Sequence, residues 1–159
     1  MGSKVSLFQS LNVSMFMATI KRFEDILSWQ KARVLNDKIG SLIDNGNFKS
    51  NYRLINQIEG SAGSIMDNIA EGFERSGNKE FVQFLYISKG SCGELRSQLY
   101  RAIDRKYLNQ KQFDDFYNSV LEISVLIQKL INYLCESELK GTKYKTKQVA
   151  YKTSETLKH

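Results

Sequence analysis

The chain has 159 residues, of which 42% are apolar and 25% are charged, and this is the composition of one globular domain. A domain of this length can fold without disulfides or a metal, and no apolar run approaches the ~20 residues of a membrane span. These features predict a cytoplasmic protein that does not associate with membranes. The two cysteines, Cys92 and Cys135, lie within helical patterns and are expected to be free, buried and unreactive.

The net charge of +6 is concentrated in the C-terminal segment. Residues 140–159 contain six lysines and one glutamate, whereas residues 21–139 contain 16 basic and 16 acidic side chains and sum to zero. The basic character therefore belongs to the tail. This distribution argues against a folded surface that binds nucleic acid, but it leaves open a tail that contacts polyanions.

The N-terminal segment, residues 1–22, mixes polar and apolar residues without clear periodicity and is interpreted as a flexible arm. A first helix is predicted over residues 23–44, because apolar residues recur there at intervals of three and four. These are Ile26, Leu27, Ala32, Val34, Leu35, Ile39, Leu42 and Ile43. Asn45-Gly46 is typical of a left-handed helix end.

A second helix is predicted over residues 52–73, with an apolar seam spaced 3, 4, 3, 4. The seam consists of Ile55, Ile58, Ala62, Ile65 and Ile69. Gly60 and Gly63 lie within the same helix. A glycine inside a helix costs about 1 kcal/mol relative to alanine, so the pair suggests that another backbone approaches closely.

The third and fourth helices, predicted over residues 79–104 and 110–138, show the same alternation. The third places its stripe at Phe81, Leu85, Ser88, Cys92, Leu95, Leu99 and Ala102, with Gly90 and Gly93 between them. The fourth uses Phe113, Phe116, Val120, Ile123, Ile127, Leu130 and Leu134, after a candidate N-cap at Asn109.

Four amphipathic helices joined by short loops predict an all-α, antiparallel up-down-up-down four-helix bundle over residues 23–138. Residues 139–159 lack an apolar stripe and are predicted to form a basic tail that is disordered or only locally ordered.

The sequence offers little material for catalysis. Its single histidine, His159, is the last residue, which argues against histidine-based acid–base chemistry and histidine-ligated metals. No glycine-rich phosphate loop of the known types is present. We therefore predict that the protein is not an enzyme, with no catalytic, cofactor-binding or metal-binding residues and no small-molecule substrate.

A group of polar residues lies around the predicted turn between the second and third helices. Asn68, Glu71 and Arg75 share one helical stripe, and Glu80 and Glu94 follow on the third helix. Three interpretations are open: a solvated helix face, a polar network that fixes helix register or a subunit contact, and a ligand or catalytic site.

These residues also carry a family resemblance. The run from Asn68 to Arg75 is followed by further matching positions at Glu80-Phe81, Phe84-Leu85, Ser88, Gly90-Ser91, Glu94-Leu95 and Gln98-Leu99. Together with Trp29-Gln30-Lys31-Ala32, the pattern resembles the four-helix-bundle family of the 23S rRNA-intervening sequence proteins, over about residues 23–138.

The resemblance implies a ring-shaped homopentamer without a settled activity. The predicted interface residues are Asn68, Glu71, Gly72, Arg75, Glu80, Ser91 and Glu94. The same family is similar to the accessory variability protein of diversity-generating retroelements, whose basic surface binds nucleic acid and the reverse transcriptase. The first hypothesis is thus a non-enzymatic assembly protein, and the alternative is a nucleic-acid-binding accessory protein acting with a reverse transcriptase.

This sequence differs from many family members because it lacks arginine near Gly60–Gly63. If RNA or DNA binds, the predicted contacts are therefore Lys143, Tyr144, Lys145 and Lys147 of the tail. Lysines that alternate with an aromatic ring can neutralise phosphates and stack on a base. The alternative is a tail that serves solubility alone.

Overall fold

The computed structural model describes residues 20–75 and 77–155, with side chains described as far as residue 137. A short 3-10 helix, Phe23–Asp25, precedes four α-helices. These are α1 (Leu27–Asp44), α2 (Tyr52–Glu74), α3 (Asn78–Asp104) and α4 (Gln110–Glu155). No strand occurs among the described residues. The all-α prediction is confirmed.

The helix ends follow from local sequence signals. Gly46 has a φ of 76°, and the chain leaves α1 through this left-handed residue as the Asn45-Gly46 pair predicts. At the start of α2, the Asn51 side chain accepts a hydrogen bond from the backbone N–H of Leu54 at 3.2 Å. Asn109 caps α4 by accepting from the backbone N–H of Gln112 at 2.8 Å, which confirms the predicted N-cap.

The helices form an antiparallel bundle in which α2 packs against α1 and α3, and α4 packs against α3 and α1. Every predicted seam residue of α3 and α4 is buried. Ile65, Leu85, Leu95 and Ile127 have no exposed surface and mark the centre of the core. Burial of these continuous stripes is what holds the four helices together.

The buried apolar faces of α1 and α2 are narrower than the sequence predicts. Leu27 and Val34 of α1 are exposed by 38% and 56%, because Ile26 and Leu35 occupy the positions that face the core. In α2, Leu54 is buried and Ile55 only partly so. Apolar side chains at the edge of a helical stripe cannot be separated from core positions by spacing alone.

The end of α4 also differs from the prediction. The helix continues to Glu155, 17 residues beyond the predicted end at Glu138, so the backbone of residues 139–155 is helical rather than disordered. The segment contains no Pro and a single Gly, Gly141, and thus no strong helix breaker. The division of the chain into an arm (1–22), a bundle (23–138) and a tail (139–159) stays a prediction.

The two cysteines lie in different environments. Cys92 is buried in the core, and burial raises the pKa of its thiol to about 12, as expected for an unreactive cysteine. Cys135 is exposed, so the prediction that both thiols are buried is wrong for this residue. Its position on α4 lies one residue after the buried Leu134, where a helix turns away from its core.

None of the helices within residues 20–75 and 77–155 combines the length and the hydropathy that a membrane span requires.

Candidate interface surface on α2 and α3

The α2–α3 turn is held by a close contact at Gly72. A Cβ atom at this buried position would lie 2.5 Å from Cβ of Phe84 and 2.9 Å from Cδ2 of Phe81. Neither position is the free end of a flexible side chain, so any larger residue would push the two helices apart. Glycine is therefore required here for packing within the chain, and Phe73 and Phe81 close the turn with an edge-to-face ring contact.

Arg75 joins the two helices at the same turn. Its Nη2 and Nε donate to Oε1 of Glu71 at 2.7 and 3.1 Å, and its Nη1 donates to Oε1 of Glu80 at 2.9 Å. The guanidinium also lies 5.0 Å from the ring centre of Phe84. The hydrogen bond to Glu80, followed in size by the hydrogen bond to Glu71, raises the pKa of Arg75 above its ordinary value. Four of the predicted interface residues, namely Glu71, Gly72, Arg75 and Glu80, thus meet at one end of the α2–α3 pair.

A second polar group, which we call the α2–α3 polar seam, lies further along the two helices. It consists of Ser61, Ser64 and Asn68 of α2 and Ser91, Glu94 and Gln98 of α3. The hydroxyls of Ser64 and Ser91 are 2.9 Å apart, and Asn68 Nδ2 donates to Ser64 Oγ at 2.9 Å. The small hydroxyl side chains allow close approach of the helices while pairing their polar atoms.

The other half of the seam is built around Ser61. Its hydroxyl donates to Oε2 of Glu94 at 3.3 Å and accepts from Nε2 of Gln98 at 2.8 Å. Oε1 of Gln98 is buried and has no hydrogen-bond partner among the described residues. The structure therefore places Asn68 and Ser91 in one hydrogen-bonded group and Glu94 in another, and both groups join α2 to α3 within the chain. Their role between subunits stays a prediction.

The four mid-helix glycines that the sequence singles out lie in open surroundings. A Cβ at Gly60, Gly90 or Gly93 would meet no other atom within 4 Å, and a Cβ at Gly63 would meet only Asp67 Oδ2 at 4.0 Å. No backbone of the described residues approaches these glycines, and the approach of a second chain stays a prediction. Packing within the chain requires glycine at Gly72 instead.

Apolar side chains are exposed beside these open glycines. Tyr86 and Ile87 of α3 lie about one turn before Gly90 and are 54% and 53% exposed. The α2–α3 surface thus combines exposed apolar side chains, small residues and paired polar groups. No group of three or more His, Cys, Asp or Glu side chains that could hold a metal occurs in the described part of the chain.

The predicted nucleic-acid contacts belong to a different part of the molecule. Residues 143–147 lie on the helical extension of α4, and the side chains of Lys143, Tyr144, Lys145 and Lys147 are outside the described residues. Sequence reasoning missed a second group of basic residues at the loop end of the bundle, the end that carries the α1–α2 and α3–α4 loops.

The fold and this surface define an all-α four-helix-bundle protein with a polar, glycine-bearing face on its second and third helices. The sequence model of the 23S rRNA-intervening sequence protein family matches residues 24–129, which is two thirds of the chain. The chain belongs to this family. Comparison with curated proteins gives no significant match.

Among solved structures, the chain is similar to a protein of unknown function from the S23 ribosomal protein family of Bacteroides thetaiotaomicron. The two are 24% identical and superpose with a TM-score of 0.62, over 66% of this chain and 98% of that chain. This likeness shows the shared fold. The further link to the accessory protein of diversity-generating retroelements, with its nucleic-acid and reverse-transcriptase partners, rests on the sequence resemblance and stays a prediction, as does a cytoplasmic location.

Proposed function

We propose that this protein is a non-enzymatic assembly protein of the 23S rRNA-intervening sequence type, which forms a homo-oligomer through the outer surface of α2 and α3. The observation that carries the proposal is the open space around Gly60 and Gly90. Each glycine lowers the stability of its helix by about 1 kcal/mol relative to alanine. Nothing in the described part of the chain requires either of them.

A second chain supplies a physical reason for these glycines. A missing Cβ leaves a shallow depression on a helix surface, in which a side chain or backbone of another protomer can lie. The exposed Tyr86 and Ile87 beside Gly90 offer apolar area for such a contact.

The resemblance implies five subunits in a ring. A ring requires a heterologous interface, in which one patch of each protomer contacts a different patch of the next. The α2–α3 surface is proposed as one of these two patches. An exposed apolar pair on α1, Leu27 and Val34, borders a cavity of about 370 Å³ between α1 and α4 and is the candidate for the other patch.

The test compares glycine substitutions at matched sites. Gly60→Glu and Gly90→Glu introduce a charged side chain into the proposed interface. Gly40→Glu in α1 is the control, because Gly40 also lies inside a helix and an added Cβ there also meets nothing within 4 Å. Light scattering coupled to size exclusion measures the mass of each variant, and circular dichroism measures its helix content.

We expect the wild type and Gly40→Glu to form the same oligomer, and Gly60→Glu and Gly90→Glu to dissociate into folded single chains. An oligomer that survives in both interface variants would contradict the proposed surface. A wild type that has the mass of one chain would contradict the proposal as a whole.

A further inference from the structure

The loop end of the bundle contains a basic cavity. The first turn of α2 and the last turn of α3 meet there around an open space of about 280 Å³. The lining residues are Asn51, Arg53, Leu54, Gln57, Arg101 and Arg105. We call this the arginine cavity. Leu54 is its one apolar lining residue, so its lining favours a polar ligand.

The three arginines have no acidic partner. None of them forms an ion pair with a carboxylate of the described residues, although Arg75 at the opposite end of α2 binds two. Arg101 Nη2 donates to Oε1 of Gln57 at 2.6 Å, and Arg53 has no hydrogen bond to a described residue. Asp104 lies between the two α3 arginines in sequence, but it does not line the cavity. Apart from the bond of Arg101 to Gln57 and an interaction of Arg105 with the Tyr107 side chain, the guanidinium donors have no partner among the described residues.

Two further lysines lie at this end of the bundle, although neither lines the cavity. Lys49 and Lys106 lie in the two loops at this end of the bundle, with φ values of 53° and 60°. This left-handed conformation favours glycine, so a lysine at either position costs backbone free energy that a glycine would not. The pKa of Tyr107 is lowered by the hydrogen bond from Asn51 and, in addition, by Arg105 and the charge of Lys49.

The chemistry of the lining residues identifies the ligand class. A guanidinium presents its donors as a planar fork that matches two oxygens of a phosphate, and the amides of Asn51 and Gln57 add shorter-range hydrogen bonds. The N-terminal end of α2 carries partial positive charge and the C-terminal end of α3 carries partial negative charge, so the two helix ends offset each other and the arginines supply the attraction for an anion. We propose that the arginine cavity binds a phosphate group, carried either by a small phosphate compound or by a nucleic-acid backbone. This site does not depend on the proposed assembly through the outer surface of α2 and α3.

The first test is calorimetric titration of the full 159-residue chain with inorganic pyrophosphate at low ionic strength. Arg53→Gln and Arg105→Gln remove guanidiniums from the cavity. Arg33→Gln on α1 makes the same charge change on an exposed arginine outside it. We expect at least tenfold weaker binding for each cavity variant and unchanged binding for Arg33→Gln. No binding to the wild type at millimolar pyrophosphate, or an equal loss in all three variants, would overturn the proposal.

A conservative variant separates a shaped site from a general positive field. Arg105→Lys keeps the charge but removes the planar fork, so we expect it to bind pyrophosphate several-fold more weakly than the wild type. Binding as tight as that of the wild type would contradict recognition by the guanidinium. All substituted arginines are exposed, so circular dichroism should show the same helix content throughout.

Titration with a ten-nucleotide single-stranded RNA distinguishes the two sources of phosphate. The triple variant Lys143→Gln, Lys145→Gln, Lys147→Gln controls for the tail. If the phosphate belongs to a nucleic acid, cavity variants weaken RNA binding more than the tail variant does. If RNA binding depends on the tail alone while pyrophosphate binding depends on the cavity, the ligand is a small phosphate compound. If neither Arg53→Gln nor Arg105→Gln weakens binding of pyrophosphate or of RNA, the proposed site is contradicted.

Discussion

Glycine and arginine occur both at the α2–α3 turn and elsewhere on the same two helices, but they are closely packed or paired at the turn and open or unpaired elsewhere. At the turn, Gly72 lies against Phe84 and Phe81, and Arg75 binds Glu71 and Glu80. In the middle of the pair, Gly60 and Gly90 have no neighbour within 4 Å of an added Cβ. At the loop end, Arg53, Arg101 and Arg105 have no described carboxylate partner.

This difference separates residues that serve the fold from residues that do not. Gly72 and Arg75 are explained by contacts inside one chain. The open glycines reduce helix stability, and the three arginines concentrate like charge without an ion pair to a carboxylate of the described residues. The proposed explanation is contacts outside the chain, with a second copy at the open glycines and with a phosphate at the arginines.

The largest expected effect is at the turn. Gly72→Ala should destabilise the protein by about 1–3 kcal/mol, because the new methyl group would overlap Phe84 and force α2 and α3 apart. Urea unfolding followed by circular dichroism measures the change. A variant as stable as the wild type would show that the turn relaxes at no cost, and the contrast with the open glycines would then fail.

The same substitution should have the opposite sign in the middle of the helices. Gly60→Ala and Gly90→Ala should each stabilise the separated chain by up to about 1 kcal/mol, since alanine favours the helix and meets no neighbour. If these positions contact a second protomer, the gain should shrink as protein concentration rises, because assembly stabilises the wild type more. Urea unfolding at two protein concentrations tests this, and gains that are equal at both would argue against an interface.

The smallest effect concerns the half-exposed ion pairs at the turn. A double-mutant cycle with Glu71→Gln and Arg75→Gln should show a weak favourable coupling that decreases as salt is raised, since exposed ion pairs are screened by solvent. Thermal unfolding of the four proteins at low and high salt measures it. If the effects of the two substitutions on stability are strictly additive at low salt, Arg75 is a solvated side chain whose ion pair with Glu71 does not stabilise the fold.

Much of the fold could be predicted from apolar spacing. The stripes of α3 and α4 were predicted residue by residue, because a helix that packs on two neighbours buries one continuous face. Leu27 and Val34 were misassigned, since spacing does not show where the edge of a stripe meets solvent. The end of α4 was predicted too early because an apolar stripe reports burial, whereas a helix can continue without burial.

The candidate sites were harder to predict for a different reason. The motif around Arg75 is local in sequence, so its residues could be named, but whether Gly60 or Gly72 is the close contact depends on the facing helix. The arginine cavity was missed because the charges of residues 21–139 sum to zero. A signal was available: in an antiparallel pair the first turn of α2 meets the last turn of α3, so Arg53 should lie near Arg101 and Arg105.

The most direct test of the central claim, that the open glycines serve contacts outside the chain, is the mass of the wild-type protein in solution. One chain has a mass of 18.3 kDa. Sedimentation equilibrium at micromolar concentration should give a multiple of this value, about five times for the ring that the family resemblance implies. A mass of one chain that persists as the concentration is raised to the millimolar range would contradict the account, because Gly60 and Gly90 would then have no partner inside or outside the chain.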